Sequence, residues 1–188
     1  DVAHVLVGQH LVAVLVAAPP PHLAALQKRL RAGDLFLECL AVGVSYVLFP
    51  VTPEALHPPL FAAQSEVDAA VDRLYTTIQT YEDDLQRGCG APRSAMDDGL
   101  RRLGELLPLG TLVRELASRR LFVAPDGALT RLPFQALRDP ESDVHLIDLV
   151  PGGIELWPCA AHLLSAPERR EIRRALLVCP DESDLLSS

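Results

Sequence analysis

Apolar positions in the middle of this chain recur with a helical rhythm. Val67, Val71, Leu74, Ile78, Tyr81 and Leu85 fall three and four residues apart, which predicts a long helix over residues 65–87 with one apolar stripe. Ser65 and Asp68 at its start fit a capping box with Asp in place of Glu. The run Gly88-Cys89-Gly90-Ala91-Pro92 breaks this helix. Met96, Leu100, Leu103 and Leu107 mark a second helix, and Leu112, Val113 and Leu116 a short third one. Earlier in the chain, Leu23, Leu26 and Leu30 share one face of a helix over residues 22–32, with Gly33 in the C-terminal cap position.

Elsewhere the apolar runs are short, as in strands. Residues 35–41 and 46–51 predict a hairpin turning near Gly43, and Pro50 moves its second strand towards a sheet edge. Residues 53–59 read as a loop. Residues 121–124 are apolar, Asp126-Gly127 signals a tight turn, and Leu129 and Leu132 lead to a Pro133-Phe134 corner. This pattern predicts a second hairpin, since glycine tolerates the positive φ of such turns. Strand structure is expected up to Val150, then a Gly152-Gly153 turn, a strand over 154–156 and a short helix over 159–165. A charged run over 168–174 leads into an apolar strand over 175–179. An interior strand of that kind needs neighbours on both sides, so the chain is expected to be poorly soluble or paired when isolated.

The first segment, residues 2–18, is strongly apolar and interrupted by Gly8, Gln9 and His10. It is short of the ~20 apolar residues that a spanning helix needs, and it lacks the basic flank of a signal peptide. A buried hairpin turning at Gly8-Gln9, or one buried helix, accounts for it. Strands, then helices, then strands make an α/β sheet domain with a helical insert. The chain divides into three segments: 1–33 (apolar segment and helix), 34–118 (strand pair and helical insert) and 119–188 (β-rich). No internal repeat of helical-hairpin length is visible.

Composition narrows the function classes. Hydrophobic residues make up 49% of the chain, which argues for a folded domain. Lys and Arg number 17 against 25 Asp and Glu, so the net charge of −8 disfavours direct nucleic-acid binding. Cys39, Cys89, Cys159 and Cys179 are scattered without a CxxC pair, as expected of a reduced, cytoplasmic protein. The chain starts at Asp1 and stops where a helix should begin, which suggests a piece of a longer protein.

Candidate chemistry is sparse. Cys159 and His162 are one helical turn apart, but a nucleophilic dyad needs a base held by a third group, and a buried small residue beside a partly exposed histidine is the simpler reading. His4, His10, His22, His57, His145 and His162 show no metal-ligand spacing beyond that pair, so no metal or cofactor is expected. Asp126 fits a turn better than an acid catalyst.

Several stretches carry a family resemblance. Pro125, Asp126, Gly127, Leu129, Leu132, Pro133, Phe134, Ala136 and Leu137 match the V-P-D-G-x-L-x-x-L-P-F-x-A-L motif of the CHAT domain, with Ala124 in the valine position. His145-Leu146-Ile147, the stretch around Trp157-Pro158-Cys159, and residues 175–181 resemble later motifs in the family's order. Upstream, residues 34–52 resemble its strand pair, with Glu38 on the family's glutamate. The resemblance covers roughly residues 22–188. It implies a caspase-like mixed sheet preceded by β-hairpins and a helical insert, in a cysteine endopeptidase.

The family's catalytic motifs, a histidine in an H-x-x-x-H-G strand end and a cysteine in an L-S-A-C strand end, do not occur in this chain. The resemblance therefore implies the non-catalytic N-terminal part of such an enzyme, partnered by a C-terminal catalytic half and a protein substrate, with an upstream repeat domain as a sensor. Asp181 and Asp184 come after the last apolar strand, where caspase-like enzymes line the primary specificity pocket, and carboxylates there would select Arg or Lys; the plainer reading of both is an acidic, solvated loop that caps the next helix. The alternative is a regulatory or scaffold module without peptidase activity. Neither reading calls for a membrane.

Overall fold

The computed structural model describes residues 21–87 and 94–165. The expectations for residues 2–18, for the 88–92 break, for the run and strand over 168–179 and for Asp181 and Asp184 lie outside these residues.

A five-stranded mixed sheet organises the fold, in the order β3-β2-β1-β4-β5. Helix α1 (Pro21–Arg29) leads through Gly33, at φ +82°, into β1 (Asp34–Val42). The turn at Gly43, φ +63°, sends the chain back as β2 (Ser45–Val51), antiparallel to β1. Strand β3 (Leu60–Ala63) adds to β2, and the helices α2 (Gln64–Gln86), α3 (Ser94–Leu106) and α4 (Leu109–Glu115) come next. Strand β4 (Arg120–Ala124) then inserts parallel to β1, and β5 (Ile154–Leu156) parallel to β4. Between them lie two 3₁₀ turns (Gly127–Arg131 and Phe134–Ala136) and the short helix α5 (Leu146–Leu149); α6 (Ala160–Ser165) closes the described chain.

The period-two alternation of the strands separates two cores. On one face Leu35, Leu37, Cys39, Leu48, Leu121 and Val123 meet the stripe of α2 and the apolar sides of α3 and α4. On the other face Phe36, Val51, Phe122 and Ala124 meet Leu26 and Leu30 of α1 and Leu163 of α6. The first core is much the larger, because three helices and the 3₁₀ segment cover it. Burying a Leu or Phe side chain contributes roughly 1.5–3 kcal/mol, so this face dominates the stability of the fold.

The structure corrects the sequence reading in four places. The segment after β4 is not a hairpin. Leu129 and Leu132 are three residues apart, which suits the three-residue turn of a 3₁₀ helix, and with Phe134 they are buried beneath the sheet. Strand β4 therefore pairs with distant β1 and β5, a mixed α/β arrangement.

Strand β2 is not an edge, because β3 flanks it. Pro50 is tolerated because β3 pairs only with Ser45 to Leu48, and the Pro50 carbonyl turns outward to accept the His57 N–H at 2.9 Å. The missing N–H thus falls where no neighbouring strand asks for it.

The capping box is absent. No side chain caps α2, and Asp68 instead accepts the Tyr46 hydroxyl at 2.7 Å. Finally, residues 146–149 form α5 where strand was expected, tucked against the second 3₁₀ turn as Leu146 N–H donates to the Leu137 carbonyl at 2.7 Å.

Candidate functional site at the carboxyl edge of the sheet

Strands β1, β4 and β5 run in parallel, so their carboxyl ends share one edge of the sheet. In open α/β sheets this is where ligands bind. The Pro125-Asp126-Gly127 corner sits there, directly after β4. Asp126 uses both carboxylate oxygens: one accepts the Gly127 N–H at 2.8 Å, and the other accepts the Ala41 N–H at 2.9 Å. The second bond continues the β1–β4 ladder past the last paired residues, Glu38 and Ala124. Asp126 is thus the turn residue that its motif predicts, and a strand clamp as well.

Gly127 adopts φ +56°, and a Cβ there would lie 2.7 Å from the Tyr46 hydroxyl. That hydroxyl also accepts the Ala128 N–H at 2.9 Å while donating to Asp68. Burial pushes the Tyr46 phenol up to about 12, the hydrogen bond to Asp68 adds to this, and the Ala128 amide partly offsets it. One side chain thereby ties the corner to β2 and α2.

On the opposite face of β1, Glu38 is half-buried. Burial raises its carboxyl above the usual range, and a hydrogen bond from the backbone of Ala160 offsets part of the rise. Next to it, burial pushes the Cys39 thiol up to about 12, with the charges of Glu38 and Asp126 adding to the effect. Cys39 is a packed apolar side chain rather than a nucleophile.

The Cys159/His162 pair does not form a dyad. The His162 backbone N–H donates to the Cys159 carbonyl at 3.1 Å, a helical bond, and no hydrogen bond joins the two side chains. Two other histidine side chains have structural partners. His57 Nε2 meets Thr52 Oγ1 at 3.0 Å, and His145 Nδ1 meets the Ala136 carbonyl at 2.9 Å. Among the described residues no cluster of three or more His, Cys, Asp or Glu side chains could hold a metal ion, and no helix is long and apolar enough to cross a membrane. Asp181 and Asp184, the residues assigned to substrate, lie outside the described chain.

Two features escaped the sequence reading. Asp139 is buried in the loop after the motif, where it accepts from Arg114, from Ser142 N–H at 2.9 Å and from the Ser142 hydroxyl. Its burial opposes ionisation, but the Arg114 and Ser142 hydrogen bonds outweigh that and lower its carboxyl below the ordinary value. Its other oxygen, Asp139 Oδ1, has no partner and borders a cavity of about 10 Å³ between α3, α4 and the loop. The second is the Tyr46–Asp68 link. Which acid of the loop after the motif turns inward depends on an arginine 25 residues upstream, so no local signal marks it.

No family model, no curated protein and no solved structure matches the chain.

Proposed function

We propose that this chain is the non-catalytic N-terminal part of a CHAT-type, caspase-like cysteine endopeptidase. The observation that carries the reading is the position of the resembling motif. Its Pro125-Asp126-Gly127 corner closes the carboxyl end of β4, beside the Glu38 strand that resembles the family's upstream strand. Two separate stretches of sequence that resemble one family are thus neighbours in one sheet. The mixed five-stranded sheet and the three helices between β3 and β4 are compatible with a caspase-like sheet carrying a helical insert.

In this reading the catalytic half supplies a cysteine thiolate that attacks the peptide carbonyl, and a histidine that moves the proton to the leaving amine. This chain's part is a platform. Asp126, Gly127 and Tyr46 hold the corner rigid, and Asp181 and Asp184 select a basic side chain in a protein substrate, by charge pairing. The setting is cytoplasmic, and an upstream repeat domain acts as the sensor. The test is cleavage of peptides with Arg, Lys or Asp before the scissile bond by the full-length protein from which the chain comes. Preference for Arg or Lys that is lost in Asp181→Asn/Asp184→Asn supports the proposal. No cleavage of any peptide, or a preference that ignores both substitutions, sinks it.

A scaffold or regulatory module without peptidase activity is the second reading, favoured by one observation: a row of large apolar side chains on the sheet is open to solvent.

A further inference from the structure

That open row lies on the face of the sheet that carries the smaller core. Paired residues point to the same side, so the register aligns Leu40 of β1 with Phe61 of β3 across Val47 of β2, which is itself buried at 7% exposure. Leu40 is 39% exposed, Val42 41% and Phe61 55%. The other half of this face is covered, since α1 and α6 sit over Phe36, Val51 and Phe122. Half of one sheet face is therefore sealed and half is not. A contiguous apolar surface of this kind marks a contact that is still to be made.

We propose that the apolar segment of residues 2–18 docks on this open half, in the same chain. Three observations favour this occupant. First, α1, the element that follows the segment in sequence, packs on this very face and runs on into β1. Second, only Pro19 and Pro20 separate the segment from α1. Two prolines span roughly 6 Å when extended, and so short a tether holds the segment at an effective concentration of about millimolar or more. Third, the chemistry matches. Between Val2 and Ala18 only His4, Gly8, Gln9 and His10 are not apolar, and none of the charged residue types Asp, Glu, Lys or Arg occurs. Residues 166–174, which come after α6 in sequence, contain Arg169, Arg170, Arg173 and Arg174 with Glu168 and Glu171. Such a run matches an apolar surface poorly. The surface is thus an intramolecular docking site, and this inference stands apart from the peptidase reading.

The experiment replaces Phe61 with p-benzoylphenylalanine in the full 188-residue chain, irradiates it, and maps the cross-link by peptide mass spectrometry. A cross-link within one chain to residues 2–18 is expected. A cross-link between two chains (a second copy as occupant), one to residues 166–188, or none would overturn the proposal. As a second measurement, thermolysin cleavage within residues 2–18 is followed in the wild type and in Leu40→Asp/Val42→Asp. Cleavage is expected to accelerate at least about tenfold, the effect of ~1.4 kcal/mol of lost docking. Leu85→Asp, an equally polar change on α2 away from this face, is expected to leave the rate unchanged. The near-UV circular dichroism of Trp157 reports whether the variants keep their fold. Equal rates in folded Leu40→Asp/Val42→Asp and wild type would contradict the docking.

Discussion

The hydroxyl of Tyr46 accepts the backbone N–H of Ala128 at 2.9 Å, across 82 residues of sequence. It leaves no room for a Cβ on Gly127, whose φ of +56° already excludes most side chains. Tyr46→Phe removes one acceptor and one donor at once, with an expected cost of about 1–2 kcal/mol. Gly127→Ala adds a strained left-handed residue, at about 1–2 kcal/mol, plus the clash. Because Tyr46→Phe removes the hydroxyl that the new methyl meets, the double variant is expected to lose less than the sum of the two. Urea denaturation of the four proteins checks this, and strict additivity would mean that the hydroxyl does not shape the corner.

The same phenol makes a pH prediction. Its value is pushed up to about 12 in the fold, against about 10 in the unfolded chain. The folded state therefore holds this proton more tightly. The stability that it contributes is complete below pH ~10 and is lost as the pH rises through about 12. Absorbance titration at about 295 nm, where ionised phenols absorb, is expected to show one of the three tyrosines of the folded chain ionising late, and Tyr46→Phe to abolish that late step.

Arg114 and Asp139 hold the loop after the motif. Asp139 is buried and Arg114 is only part-exposed, so Arg114→Ala strands a carboxylate in the interior. Removing one partner of such a pair is expected to destabilise the fold, by less than for a fully buried pair because solvent reaches Arg114. The sign with pH comes from the lowered Asp139 value. Its contribution is present above the unfolded value near 3.8 and disappears as the pH falls through the lower folded value. The penalty of Arg114→Ala is therefore expected to shrink below pH ~4, when measured by thermal unfolding from about pH 7 to about pH 3. A penalty that is constant across that range would contradict the pairing.

Glu38 carries the opposite sign. Burial raises its carboxyl, so its charge works against folding once the pH exceeds the unfolded value of about 4.5. Glu38→Gln keeps an acceptor for the Ala160 N–H and removes the charge. It is expected to raise Tm at about pH 7 and to leave Tm unchanged at about pH 3, where both states hold the proton. A substitution that stabilises the fold while reducing peptide cleavage by the full-length protein would mark Glu38 as a residue kept for function. A lower Tm near neutral pH would contradict the assigned cause.

The parts of the fold that were legible in the sequence depend on local rules. The stripe of Val67, Val71 and Leu74 placed the long helix, and Gly33 and Gly43 marked the ends of α1 and β1, because periodicity and positive φ are properties of neighbouring residues. The strand of residues 120–124 was legible as a strand but not as an interior parallel one, since its partners, Asp34 to Glu38 and Ile154 to Leu156, are far from it in sequence on either side. The motif was read as a hairpin because Asp-Gly signals a tight reversal. The path of the chain beyond that reversal depends instead on the three-residue spacing of Leu129 and Leu132, which suits a 3₁₀ turn. Of the candidate site, Asp126 was legible in its turn role. The Tyr46–Asp68 and Arg114–Asp139 links were not, because a buried polar group becomes visible only when tertiary packing brings its partner to it.

The proposal that this chain is part of a cysteine peptidase whose nucleophile lies outside it is tested most directly by labelling that nucleophile. The full-length protein is treated with an arginyl acyloxymethyl ketone, which alkylates cysteine nucleophiles held in a basic-specific site, and the adduct is located by peptide mass spectrometry. A single adduct on a cysteine beyond Ser188, weakened by Asp181→Asn/Asp184→Asn, is the predicted result. No adduct, or adducts on Cys39, Cys89, Cys159 or Cys179 alone, would contradict it.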